Sequence, residues 1–303
     1  MALPRAILFD LDDTLIRAYA QPEEAWRRLL RAFAAHLDAH DESAIERVRV
    51  AVMDEARSLW TDQAVAAKWR LNIPGARRLS TWRGLARLGY TDEALADRIA
   101  DAFTEMRRNE YRLYPDAHAT VDALRGAGVK LALVTNGAAE FQRDKITRFD
   151  LGHRFDHIQI EGEFGQGKPE LAVYRHALDK PGCSAGDAWM VGDNYEWEVV
   201  APQKLGMCGI WYDPFGAGVP AHASAQPTRI IKRLGELVEY TIPRRFSEHE
   251  LFGLCSASCS KNRAADRPIS HSLQTFDPDF LNNAVCTSDS SPNRDGVTPR
   301  NPV

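Results

Sequence analysis

The chain of 303 residues is 44% hydrophobic and sets 38 basic against 42 acidic side chains, for a formal charge of −4. This length and apolar content can fill a sizeable core, while the interleaved charges leave no basic footprint for nucleic acid and no window reaches the length of a membrane span. The N-terminus lacks the features of a signal peptide, and the five cysteines, at 183, 208, 255, 259 and 286, fit reduced thiols rather than a disulfide framework. The expectation is a cytoplasmic protein with neither nucleic acid nor membrane as partner.

The first element is the apolar run Ile7-Leu8-Phe9, which reads as a strand buried on both faces and stops at Asp10-Leu11-Asp12-Asp13. Such a strand places Asp10 at its carboxyl end and Asp12 in the following turn, where ligands bind in open parallel sheets. Two neighbouring carboxylates repel unless a cation or a shared proton intervenes, which points to a metal-assisted acid/base site.

From Gln21 to Tyr111 the spacing is helical. Trp26, Leu29, Leu30, Phe33 and Leu37 form one stripe, and Ile45, Val48, Val52 and Leu59 form a second. Pro22 and Asp41-Glu42 mark helix starts. A third helix is expected over 64–71, closed by Asn72 and Pro74, a fourth over 75–88 ending at Gly89, and a fifth from an N-cap at Thr91 to Tyr111.

From Tyr114 onward helices alternate with short apolar strands, the pattern of a parallel α/β sheet. Helix 119–126 leads to strand 130–134, which ends in Thr135-Asn136-Gly137; helix 139–149 and a strand at 158–160 follow. Helix 169–178 precedes strand 188–191, which ends in Gly192-Asp193-Asn194. A helix over 195–205 is interrupted by Pro202; strand 208–212 is expected to be the last strand, and 230–238 the last helix. Residues 244–303, rich in Ser, Asn, Asp and Pro, read as a disordered tail with a short turn near Leu251–Leu254, and its Cys255/Cys259 pair lacks the second Cys/His pair of a metal site. Removing this tail is expected to leave activity and melting temperature nearly unchanged.

Four stretches, Asp10-Leu11-Asp12-Asp13-Thr14, Thr135-Asn136-Gly137, Gly167-Lys168-Pro169 and Gly192-Asp193-Asn194, occur in this order, and together they resemble the haloacid dehalogenase-like (HAD) hydrolase superfamily over about residues 5–240. The resemblance implies an α/β fold with a Rossmann-like parallel core, from residues 1–18 and 113–243, and an inserted all-helical C1-type cap over 19–112. It implies an Mg²⁺-dependent phosphatase acting on a small phosphorylated metabolite. Asp10 would be the nucleophile and Asp12 the proton shuttle. Mg²⁺ would be held by Asp10, the Asp12 carbonyl and Asp193. Thr135, Asn136 and the adjoining amides would bind the phosphoryl oxygens, and Lys168 would neutralise them and tether Asp10.

Members that cleave carbon–halogen bonds lack an acid at the position of Asp12, so its presence favours phosphoryl transfer. Asn194 is expected to support the site from behind. Glu198 stands where the family usually has Asp, and its longer side chain would reach the metal through water or crowd it. Trp197 is expected to pack, while Arg17, Trp69, Arg70, Arg77, Arg78 and Trp82 are candidates for substrate contact. Two rival readings are a phosphoglucomutase-like phosphoryl transferase and a non-catalytic binding protein of the same fold. Oligomeric state is not legible in the sequence.

Overall fold

The computed structural model describes residues 3–19, 21–221 and 223–239; the expected tail, with its turn and its Cys255/Cys259 pair, lies outside them. In chain order, β1 (Ala6–Phe9) and β2 (Ile16–Arg17) precede five helices: α1 (Pro22–Ala32), α2 (Glu42–Thr61), α3 (Gln63–Arg70), α4 (Ile73–Ala86) and α5 (Glu93–Glu110). The chain continues through β3 (Arg112–Leu113), α6 (Ala117–Gly126), β4 (Lys130–Thr135), α7 (Ala139–Arg148), β5 (His157–Ile160), α8 (Glu161–Phe164) and α9 (Leu171–Asp179). It then forms β6 (Ala188–Gly192), a π turn (Glu196–Val200) running into α10 (Ala201–Gln203), β7 (Cys208–Tyr212) and β8 (Arg229–Ile231).

Six strands make one parallel sheet in the order β5-β4-β1-β6-β7-β8. Side chains alternate between its faces. Ile7, Phe9, Leu131, Leu133, Trp189 and Val191 enter one apolar cluster, whereas Ala6, Leu8, Ala132, Val134, Ala188 and Met190 enter another. Burial on both faces explains why these strands are unbroken apolar runs. Because β1 lies between β4 and β6, connections leave it toward opposite sides, and the crevice at its carboxyl end is the natural ligand site. Phe9 pairs in register with Leu133 and Val191, so Asp10, Thr135 and Asp193 emerge from neighbouring strands.

Helices α1, α2, α4 and α5 gather their apolar stripes into a cluster of their own, with Trp26 stacked on Phe103 at 3.8 Å between centroids. Gly84 lets α4 approach α2: a Cβ there would fall 2.6 Å from Val52 Cα. The two chain crossings into and out of this helical layer, β2 and β3, pair antiparallel as a short ribbon.

Several boundaries differ from the sequence reading. Asn72 does not close α3; its side chain accepts from the Gly75 amide and caps α4, so that Pro74 falls in the first turn, where it needs no N–H partner. Asp92, rather than Thr91, caps α5 through the Leu95 amide. The helix expected from Pro169 begins at Leu171. The segment before Pro202 widens into a π turn, with the Ala201 amide donating to the Glu196 carbonyl, so Pro202 is accommodated without breaking the rod. Cys208–Tyr212 is not the last strand: Arg229-Ile230-Ile231 adds β8 along it, and the expected 230–238 helix shrinks to a 3₁₀ turn at Leu234–Leu237. The β-branched isoleucines are better satisfied on the open edge of β7 than in a short helix. Among the described residues, Cys183 and Cys208 are free thiols, and no helix is long and apolar enough to cross a membrane.

Candidate active site

Asp10 extends β1 by one hydrogen bond, its amide donating to the Val191 carbonyl at 2.9 Å, and its carboxylate is buried. The chain then turns sharply. Asp13 takes the left-handed conformation (φ 55°), and its carboxylate accepts from the amides of Ala18 and Tyr19 at 2.8 and 3.1 Å. Asp13 is therefore a turn-former, and the turn leaves Asp12 facing α7.

Lys168 is fully buried, with Nζ 2.6 Å from Asp10 Oδ1 and 2.7 Å from Glu198 Oε1. Burial opposes its charge, but the two carboxylates prevail and hold its pKa above the ordinary amine range. The loop carrying it is clamped by Asn136, whose side chain accepts from the Lys168 amide at 2.7 Å and donates to its carbonyl at 2.8 Å. The Asn136 amide group thus positions Lys168. Glu198 is also fully buried; its amide donates to the Asn194 carbonyl, and its Oε2 has no hydrogen-bond partner. Burial raises its pKa to about 7 despite the opposing Lys168 charge. Gly192 creates the room: a Cβ there would stand 2.2 Å from Glu198 Cγ and 3.0 Å from Asp10 Cβ.

Asp193 completes the acidic pair. Thr14 Oγ1 lies 3.3 Å from both Asp10 Oδ2 and Asp193 Oδ1. Burial, then the nearby charges of Asp10 and Glu198, push the Asp193 pKa up to about 9, and Asp10 is likewise raised, by burial against the pull of Lys168. Asn194 accepts from the Trp197 amide at 3.2 Å and lies beside the cavity.

Two α7 residues absent from the sequence-based site complete the picture. Lys145 Nζ is 2.7 Å from each carboxylate oxygen of Asp12 and lies over the Tyr111 ring at 5.1 Å. Gln142 Nε2 is 2.6 Å from Thr135 Oγ1, 2.7 Å from the Asn136 carbonyl and 3.0 Å from Asp12 Oδ2. Their signal was available: a Gln and a Lys three residues apart share a helix face, on the helix that directly follows Thr135-Asn136-Gly137. Thr14, the last residue of the first motif, has no chemical role assigned from the sequence, yet its hydroxyl joins the two acids.

The acids and Thr135 form the floor of a cavity of ≈ 490 Å³ whose roof is set by Trp26, Trp60, Ile73, Arg77 and Phe103 from the helical layer. Two ion pairs fasten roof to floor. Arg70 donates to Glu161 through two nitrogens, at 2.8 and 3.2 Å, and Arg108 likewise to Asp144, at 2.7 and 3.1 Å. Glu161 also accepts from the Gly137 amide, and Arg70 lies over the Trp197 ring. Of the six candidates for substrate contact, Arg70 and Arg77 line the cavity; Arg17, Trp69, Arg78 and Trp82 do not.

Among the described residues no three His, Cys, Asp or Glu side chains form a ready-made metal cluster. The third nearby acid, Glu198, is bound to Lys168 and, unlike Asp10 and Asp193, does not line the cavity. What remains is Asp10 and Asp193, two crowded carboxylates joined through Thr14. An all-oxygen set of two carboxylates with an adjoining carbonyl suits a hard cation such as Mg²⁺, which keeps waters and substrate oxygens in its other positions. Burial first, and then the charges of Asp10 and Glu198, disfavour a bare carboxylate at Asp193, and the oxygen donor set fits such a cation.

The chain is 34% identical to a phosphoserine phosphatase of Thermus thermophilus, over 69% of this chain and 88% of that protein. Among solved structures, the HAD-hydrolase YfnB of Bacillus subtilis, bound to magnesium, superposes with a TM-score of 0.58 at 22% identity, covering 78% of this chain and 98% of that one. A 2-haloacid dehalogenase from Pseudomonas syringae pv. Tomato gives 0.51 at 26% identity, covering 78% and 97%. The model of the haloacid dehalogenase-like hydrolases matches residues 4–206, the stretch that carries all four motifs and the helices between them, and the chain belongs to that family.

Proposed function

We propose that the protein is an Mg²⁺-dependent phosphatase that hydrolyses the phosphomonoester of a small metabolite through an aspartyl-phosphate. The observation that carries this reading is Asp12: a carboxylate facing the cavity two residues beyond Asp10, held there by Lys145 and Gln142. A halide leaves without a proton, whereas an alkoxide needs one, so an acid in this place serves oxygen leaving groups. The similarity to a phosphoserine phosphatase points the same way.

In this reading an Asp10 oxygen attacks phosphorus, the bond to the leaving oxygen breaks, and Asp12 protonates that oxygen. Asp12 then takes a proton from water as the water attacks phosphorus, and Asp10 is released with inorganic phosphate. Thr135 and the amides after it bind the phosphoryl oxygens. Lys168 fixes the Asp10 carboxylate and offsets charge as it accumulates. Bound at Asp10, Asp193 and the Asp12 carbonyl, Mg²⁺ would neutralise repulsion between nucleophile and phosphate. Residues 19–112 act as a cap over a core of 1–18 and 113–243, excluding water and selecting the leaving group.

Phosphate release from p-nitrophenyl phosphate tests the proposal. Turnover is expected with Mg²⁺, and its persistence in Asp10→Asn would remove Asp10 as nucleophile. An absolute requirement for a sugar bisphosphate activator would favour the transferase instead.

A further inference from the structure

The cap's arginines divide in a way that bears on the substrate. Three of the four that line the cavity are matched to acids: Arg70 to Glu161, Arg107 to Glu110, and Arg108 to Asp144. Arg77, on α4, has no carboxylate within ion-pair distance, and its guanidinium makes no hydrogen bond within the described chain. The Phe103 ring, 5.2 Å away, covers a face of the guanidinium but accepts none of its five N–H groups, and the nearby Arg107 is a second cation. Burial lowers its pKa, with the Tyr19 and Tyr111 hydroxyls acting in the opposite sense. Half-buried, it stands among the apolar side chains Trp26, Trp60 and Ile73, in the same cavity as Asp10 and Asp12.

We infer that Arg77 forms a second anion site, so that the preferred substrate is a phosphomonoester whose leaving group itself carries an anionic group, a carboxylate or a second phosphate. This deepens the phosphatase reading and rests on it. A cation kept without an acid partner in a largely apolar cavity is stabilised when a ligand supplies the charge, and a guanidinium matches either oxyanion with paired N–H donors. The phosphoryl group to be transferred cannot fill this role, because it must sit on Asp10, at the sheet. A carboxylate or second phosphate at the far end of the leaving group completes Arg77 and leaves the carbon body against the aromatic walls.

The test compares substrates differing in that one group: 4-carboxyphenyl phosphate against its methyl ester, and 1,4-phenylene bisphosphate against phenyl phosphate, with wild type, Arg77→Met and Arg77→Lys. Wild type is expected to favour at least one anionic member over its neutral counterpart by about tenfold or more in kcat/KM, the size of one charge-assisted hydrogen bond, with KM carrying the difference. The pair showing the preference identifies the anion. Arg77→Met should bring the ratio to near one, and Arg77→Lys should restore part of it. Equal use of charged and neutral members by wild type, or a preference that survives in Arg77→Met, would overturn the inference. Calorimetric titration of the same four compounds onto Asp10→Asn reads the binding preference directly. If nothing is hydrolysed, the phosphatase reading fails while this arm still decides the role of Arg77.

Discussion

The ammonium of Lys145 spans both carboxylate oxygens of Asp12 at 2.7 Å. It is itself buried, and although burial opposes its charge, Asp12 first and then Tyr19 and Tyr111 hold its pKa above the ordinary range. Asp12 therefore does not swing freely over the cavity; it is aimed by a cation and by Gln142. Replacing Lys145 by Met is expected to lower kcat by roughly 10- to 100-fold, less than the roughly 100- to 10,000-fold that a general acid/base itself contributes because Asp12 remains, with a smaller effect on KM. Paired with Asp12→Asn, it should add little, because the two act as a unit. Steady-state phosphate release from the two single variants and the double variant measures this, and an unchanged kcat in Lys145→Met would show the pair to be structural only.

Stability should depend on pH in a direction set by the acids beneath Asp10. Asp193 at about 9 and Glu198 at about 7 lie above their ordinary values of 3.8 and 4.5. Between those limits the folded state binds more protons than the unfolded chain, so metal-free protein loses stability as pH rises and is most favoured on the acid side. Each group contributes at most about 1.4 kcal/mol per pH unit across its own interval. Held at the proposed site, Mg²⁺ would favour the ionised pair and should flatten this slope. Thermal melts at pH 5 to 9, in chelator and in millimolar Mg²⁺, are expected to diverge most at alkaline pH. Parallel curves would show that Asp10 and Asp193 do not hold the cation.

The Arg70–Glu161 pair joins the end of α3 to the first residue of α8, and the same carboxylate takes the Gly137 amide beside Thr135. Both partners are largely buried, so deleting one leaves a costly charge behind. Arg70→Met is expected to raise KM by about tenfold, as binding must then close a looser cap, and to speed proteolysis within α1 to α5. Glu161→Gln, which keeps an acceptor for Gly137, should be milder. Timed proteolysis beside KM measurements separates cap loosening from general unfolding.

Gly192 is the point where side-chain room decides the site. Adding one methyl group places it 2.2 Å from Glu198 Cγ, and Glu198 cannot move without releasing Lys168. Gly192→Ala should reduce both melting temperature and kcat, the latter by about tenfold or more, since Lys168 then holds Asp10 less firmly. Wild-type kinetics in this variant would mean that the Lys168–Glu198 contact is dispensable.

The parallel sheet was legible because strands buried on both faces must be continuous apolar runs, and Ile7–Phe9, Leu131–Val134 and Ala188–Val191 are such runs. The helical layer was legible from stripes such as Trp26, Leu29, Leu30 and Phe33, which enter one apolar cluster. β8 was missed because its three residues gain their partners only from β7, and a window that short carries no periodicity of its own. Asn72 and Thr91 were misassigned because capping residues are interchangeable in composition, and the helix that each serves is settled by geometry.

By itself the sequence determined the acids at the carboxyl end of β1, the order of the four motifs and the helices inserted between them, since these follow from local pattern. Tertiary structure alone decided the partnerships: Lys145 with Asp12, Glu198 with Lys168, and Arg77 with no acid. Ion pairing depends on distances of a few ångströms between residues more than a hundred positions apart in the case of Lys145 and Asp12, and on burial that strengthens each charge's effect on the next. Composition and spacing along the chain carry neither quantity.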